Sequence, residues 1–159
     1  MREINYDRLL AMRYAREWAL SRNPAYMDYT PFGGDCTSFC SQCLYAGTGV
    51  MNFTPDTGWY YLSSGKHAPA WSGVKFFHRF LTENRGRGPF GRDATLAEIL
   101  PADFIQLGNP GRFYHTLFVL STENGEITVA AHTKDSLDRP LSSYTFERAR
   151  PIHILGARS

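Results

Sequence analysis

Apolar residues near the start of the chain recur at helical intervals. Leu9, Leu10, Met12, Tyr14, Ala15, Trp18 and Ala19 fall on one side of a helix over about 6–21, and Arg8, Arg13, Arg16 and Glu17 supply its polar side. Asn23-Pro24 ends that helix, because proline disfavours helical geometry in the residue before it. A loop rich in Tyr, Pro and Gly follows. The period returns over about 36–45, where Cys36, Phe39, Cys40, Cys43 and Leu44 form the apolar stripe and Gly47 is the candidate C-cap. Residues 48–70 carry no period. Val74, Phe77, Phe80 and Leu81 mark a third helix over 74–82, residues 84–89 read as a loop, and 96–100 as a helical turn. From Asp103 the period drops to that of strands, over 103–107, 114–121, 127–133 and 151–155, with a further one over 144–148. Helices first and strands later predict an α+β fold, with N-terminal helices packed on a C-terminal antiparallel β-sheet. The chain has 159 residues, no internal repeat and no dividing linker, which predicts a single domain over 1–159.

Asn124-Gly125 between two apolar runs predicts a hairpin closed by a two-residue type I′ turn. Paired positions then sum to 249, and His115, Leu117, Thr128, Ala130, His132 and Lys134 share one face. His115 and His132 become diagonal neighbours, roughly 7–8 Å apart between Cα atoms. A one-residue slip in register would turn one of them to the opposite face.

That placement matters because of Gly33-Gly34-Asp35-Cys36-Thr37-Ser38-Phe39, where a glycine loop runs into the second helical pattern. A thiol on the first turn of a helix lies beside orphan N–H groups that favour the thiolate, the reactive form of cysteine. Cys36 as nucleophile, His115 as base and His132 as the group that orients the base make a constellation for acyl transfer, with the two histidine roles open to exchange. Asp35 is read as a helix cap, and the backbone N–H of Cys36 as an oxyanion donor. Cys40 and Cys43 read as core residues, and His67, His78 and His153 as structural ones. Asp103 and Asp135 are alternative orienters. Trp59, Tyr60 and Trp71, with Tyr61, are candidates for lining a substrate groove, with plain packing as the competing role.

Hydrophobic residues make up 43% of the chain and the formal net charge is +2. The basic residues are scattered, with a loose cluster at Arg85, Arg87 and Arg92, so nucleic acid is not an expected partner. No apolar run approaches the roughly 20 residues of a bilayer span, so no membrane insertion is expected. The N-terminus lacks an apolar signal-peptide core, which predicts a cytoplasmic location for the chain as it stands and export if it is part of a longer protein. Three cysteines at tight spacing do not describe a disulfide framework. Cys36-x3-Cys40-x2-Cys43 has the spacing of the cluster loop of radical SAM enzymes, but the chain is too short for their barrel, and its cysteines lie in a helical pattern. No paired zinc-ligand spacing occurs, so neither metal nor cofactor is expected.

Asn23-Pro24-x-Tyr26, followed by Gly33-Gly34-Asp35-Cys36-Thr37-Ser38-Phe39-x-Ser41-Gln42-Cys43-Leu44-Tyr45-Ala46-Gly47, resembles the bacterial putative amidase domain family. So do Tyr6-x-Arg8-x3-Met12-x-Tyr14-Ala15, Trp59-Tyr60, Ala102-Asp103-Phe104-Ile105-Gln106, Tyr114-His115-Thr116 and Ala131-His132-Thr133-Lys134-Asp135 with Pro140-Leu141. That family is similar to the papain-like cysteine hydrolases, related to CHAP amidases and bacterial cell-wall endopeptidases. The resemblance implies a papain-like fold and a cysteine amidase or peptidase (a thiol protease) that hydrolyses an amide or peptide bond through a thioester, without a cofactor. Cys36 would attack the carbonyl, His115 would carry the proton to the leaving amine, and His132 would hold His115. Peptidoglycan-derived peptides are the implied substrates. The chain has Ser38 where the family commonly has Asn, Cys40 where it has an aliphatic residue, and Ala102 where it often has glycine. A peptide- or glycan-binding module of the same fold, and an acyltransferase using the same Cys/His pair, are the competing functions.

Overall fold

The computed structural model describes residues 1–132 and 134–159. Strand β1 (Glu3–Ile4) leads into helix α1 (Arg8–Trp18), which starts where the Asp7 carboxylate accepts the Leu10 N–H at 3.1 Å. Helix α2 (Cys36–Thr48) is buried on nearly every side, as its apolar and small residues require of a central helix. A hairpin of β2 (Tyr61–Ser63) and β3 (Lys66–His67) precedes the short α3 (Pro69–Ser72) and then α4 (Val74–Glu83). Strands β4 (Gly88–Asp93), β5 (Phe104–Asn109), β6 (Arg112–Ser121), β7 (Thr128–Ala131), β8 (Ser136–Pro140) and β9 (Arg148–Arg158) follow.

These strands form one antiparallel sheet in the order β1-β9-β5-β6-β7-β8, with β4 also paired to β9. The α+β expectation holds, with helices packed on a large antiparallel sheet. Residues 88 and 89, expected in a loop, begin β4. Its sequence, Gly-Pro-Phe-Gly-Arg-Asp, has no alternation to announce it and is drawn into the sheet by β9. Gly47 is not a cap. It lies inside α2, where an added Cβ would stand 2.4 Å from the Tyr6 ring, and the helix ends at Gly49 in the left-handed region (φ 66°). Ala102 also has left-handed φ, 74°, a conformation that glycine reaches with less strain.

The sheet separates two cores. One face packs on the helices through Phe104, Phe118, Leu120, Ala130, Ile152 and Ile154. The other carries Ile105, Leu107, Leu117, Val119, Val129 and Ala131, closed over by Ile99, Leu141, Tyr144 and Phe146. Trp59 and Trp71 are fully buried in the first core, 4.9 Å apart between ring centroids, so they pack the interior and line no groove. Tyr60 is half-buried at its margin. No helix is long and apolar enough to cross a membrane among the described residues.

The predicted turn forms. Asn124 and Gly125 both have positive φ, 56° and 73°, and the Glu126 N–H donates to the Glu123 carbonyl at 3.0 Å. Ser121 pairs with Thr128, as the expected sum requires. Beyond that point the register slips. Val119 pairs with Val129 and Phe118 with Ala130, which leaves Leu120 as the extra residue of a β-bulge. The sum becomes 248, and every β6 side chain beyond the bulge changes its partner face on β7. The expected strand through residue 133 ends at Ala131, and residue 133 lies outside the described residues.

Candidate active site

Cys36 occupies the first turn of α2 and is 6% exposed, whereas Cys40 and Cys43 are completely enclosed. Burial pushes the Cys40 and Cys43 thiols well above the ordinary range and makes them poor nucleophiles. Among the described residues no side chain caps the first turn of α2. Asp35 is engaged elsewhere. Its carboxylate accepts the Tyr29 N–H at 2.8 Å and meets His132 Nδ1 at 2.7 Å, with Arg22 Nε 3.7 Å away. The expected capping role of Asp35 is therefore replaced by a buried contact with His132.

His132 is 2% exposed and stacks on Phe39 at 4.0 Å between centroids. Its second nitrogen, Nε2, lies 2.7 Å from the Trp18 carbonyl. Both ring nitrogens face oxygen atoms, one of a carboxylate and one of a backbone carbonyl. Arg22, bidentate on Asp135 at 2.9 Å, ties the loop after His132 to the same cluster. Asp135 thus serves Arg22 and not a histidine.

Next to this pair a row of polar side chains crosses the helix-side face of the sheet. Continuing the Phe118–Ala130 register places His132 opposite Thr116. Thr116 pairs with Gln106, and Gln106 with Arg150. The side chains touch in sequence. Thr37 Oγ1 is 2.9 Å from Thr116 Oγ1, Gln106 Nε2 donates to Thr116 at 3.2 Å and to the Val74 carbonyl at 2.8 Å, and Arg150 donates to Gln106 Oε1. The Cys36 sulfur joins the row through Thr37 Oγ1, 3.8 Å away, its one hydrogen-bonding neighbour among the described residues.

His115 is not part of this constellation. It alternates with Thr116 and pairs with Leu107, so it shares the far face with Leu117 and Val119. There it meets the Tyr144 ring at 5.7 Å, and its Nδ1 has no hydrogen-bond partner among the described residues. The expected common face for His115 and His132 is overturned by the Leu120 bulge, and with it the expectation that His132 holds His115. Cys36 and His115 stand on opposite sides of the sheet.

Burial pushes the His115 imidazole down to about 4, and the charge of Arg139 adds to the shift. The fold therefore holds this ring neutral, while the unfolded chain binds a proton at its ordinary value near 6.5. Stability from this group is complete above that value and falls as the pH drops towards 4, by about 3 kcal/mol at most. Urea titrations of wild type and His115→Leu at pH 7 and pH 4.5 check this. The substitution is expected to remove part of the acid sensitivity, and equal pH slopes would contradict the assignment.

The orientation of Asp35 and the row of Thr116, Gln106 and Arg150 were not found from the sequence. A glutamine within Phe-Ile-Gln-Leu and a threonine within His-Thr-Leu-Phe are polar residues at period-two core positions, a signal by which they could have been found. Two clefts of about 600 and 650 Å³ lie elsewhere, beyond the C-terminal end of α2 by Asn52 and Phe80, and on the far face by Ile127 and Phe146. Among the described residues no three His, Cys, Asp or Glu side chains are grouped to hold a metal ion.

A family model described as "putative amidase domain" matches residues 5–155. The chain belongs to that family. The amidase domain is also similar to the uncharacterized protein YhbB of Bacillus subtilis (strain 168), with 33% identity over 140 residues, covering 85% of this chain and 44% of YhbB. The chain thus spans less than half the length of that curated relative. No solved structure matches it. The family name indicates amide hydrolysis in general terms, and the matched span takes in Asp35, Cys36, Gln106, Thr116, His132 and Arg150 alike.

Proposed function

We propose that this amidase domain hydrolyses an amide or peptide bond through a thioester on Cys36, with His132 in place of His115 as the acid–base partner. The observation that carries this reading is the 2.7 Å contact between His132 and Asp35, which brings an imidazole to the residue adjoining the thiol, on the helix side of the sheet. The Cys36 thiolate attacks the carbonyl carbon, and the developing oxyanion is received by free N–H groups of the first turn of α2. His132 gives its Nε2 proton to the leaving amine, which requires Nε2 to exchange the Trp18 carbonyl for the substrate nitrogen. Water then adds to the thioester and returns a proton to His132 as the acid is released. Peptides are the substrate class of this proposal, and bacterial cell-wall peptides enter it through the family resemblance alone.

Iodoacetamide tests the nucleophile. Cys36 of the native protein is expected to be alkylated, with Cys40 and Cys43 protected until unfolding, as mapped by mass spectrometry. Turnover of a peptide p-nitroanilide should fall in step with the alkylated fraction. Full turnover by protein alkylated at Cys36 would sink the proposal. The bond from His132 Nε2 to the Trp18 carbonyl favours a second reading, in which the site binds an amide ligand without cleaving it. In that case alkylation changes ligand affinity, and no turnover is present to lose.

A further inference from the structure

Arg150 closes one end of the polar row and is only half-buried. Its Nε and Nη2 both donate to Gln106 Oε1, and Nη1 meets no acceptor among the described residues. The guanidinium lies over the Phe113 ring at 4.0 Å from the centroid. Arg148 lies over the same ring at 4.9 Å, bonded only to the Pro110 carbonyl at 3.4 Å. Two like charges thus pack on one phenyl ring, and neither is in a salt bridge among the described residues. Asp93, whose charge reaches Arg150, is itself held by His78 at 2.7 Å. Burial depresses the Arg150 guanidinium, Asp93 opposes that shift, and Arg148 adds to it. Holding two guanidiniums at one ring without a counter-charge costs folding free energy, and an anion bound to them would offset that cost.

We infer that Arg150 and Arg148 recognise a carboxylate on the substrate, so that this domain prefers an acidic peptide; the inference rests on the function proposed above. The spacing fixes where that carboxylate sits. Arg150 is two strands from Thr116, the residue that touches Thr37, which is roughly 10 Å at the usual strand separation. An extended peptide advances about 3.3 Å per residue, so the acidic group lies about two or three residues from the scissile carbonyl. Guanidinium pairs with carboxylate in a planar, two-bond geometry, and the free edge of Arg150 is suited to it.

Binding separates this inference from the chemistry. N-acetylated tripeptide amides carrying Glu at one of the three positions are titrated calorimetrically into Cys36→Ser, each beside its Gln twin. At least one Glu peptide is expected to bind roughly 10-fold more tightly than its twin. That preference should vanish in Arg150→Gln, weaken in Arg148→Gln and partly return in Arg150→Lys. Melting temperatures identify any variant that fails to fold, and Arg148→Gln, on the exposed edge, serves if Arg150→Gln does. No Glu peptide outbinding its twin, or a preference that survives both glutamine variants, would overturn the inference. Turnover is scored separately. If Cys36→Ser cleaves like wild type, the proposed nucleophile is wrong, while the carboxylate preference stands or falls on the titrations.

Discussion

Replacing Asp35 with alanine is expected to lower the unfolding free energy by about 3–5 kcal/mol. The carboxylate is enclosed and accepts from the Tyr29 N–H and from His132. Removing it leaves the buried His132 Nδ1 and the buried Tyr29 N–H without their partner, and both penalties are borne by the folded state. His132→Ala should cost a similar amount, because it strands the carboxylate instead. The double variant should cost clearly less than the two singles added, since neither charge is then left alone. Urea unfolding of the four proteins at neutral pH checks this. A loss below about 1 kcal/mol for Asp35→Ala would mean that the pair is not charged or not buried in solution.

The second large effect concerns catalysis. Cys36→Ala is expected to lower kcat/KM for amide hydrolysis by about 10³ or more, because the thioester route is closed. His115→Gln should leave kcat/KM within a few-fold of wild type, since β6 turns that ring to the face away from α2. His132→Gln should lose activity to a degree approaching the cysteine variant, with circular dichroism used to separate lost chemistry from lost fold. Abolished turnover in a well-folded His115→Gln would return the proton-transfer role to His115 and require the sheet face at β6 to reverse.

Helices α2 and α4 were legible because their apolar stripes are regular, whereas on α1 the expected inward residues Leu9 and Leu10 are exposed and Ala11 and Ala15 are buried. Phe77, Phe80 and Leu81 on α4 are buried, as their spacing implies. The Asn124-Gly125 turn was legible because few dipeptides tolerate two successive positive φ values. What escaped was a single unpaired residue. Leu120 is apolar in an apolar strand, and nothing in its chemistry announces a bulge, yet it decides which histidine lies on the helix side of the sheet. The edge pairing of β4 and the β2–β3 hairpin escaped for a related reason: both depend on partners and loop contacts, not on local period. Cys36 at a helix start was readable because Gly-Gly-Asp before an apolar run is a local signal, whereas the partner of Asp35 was hidden 97 positions away.

That separation shapes the protein's assembly. A chain emerging in order presents its thiol long before residue 132 exists, so nascent or truncated forms carry Cys36 and Asp35 without the His132 that Asp35 meets in the fold. On the proposed mechanism, reactivity towards a substrate amide arises only after the later strands dock, which delays the chemistry until synthesis has passed the hairpin.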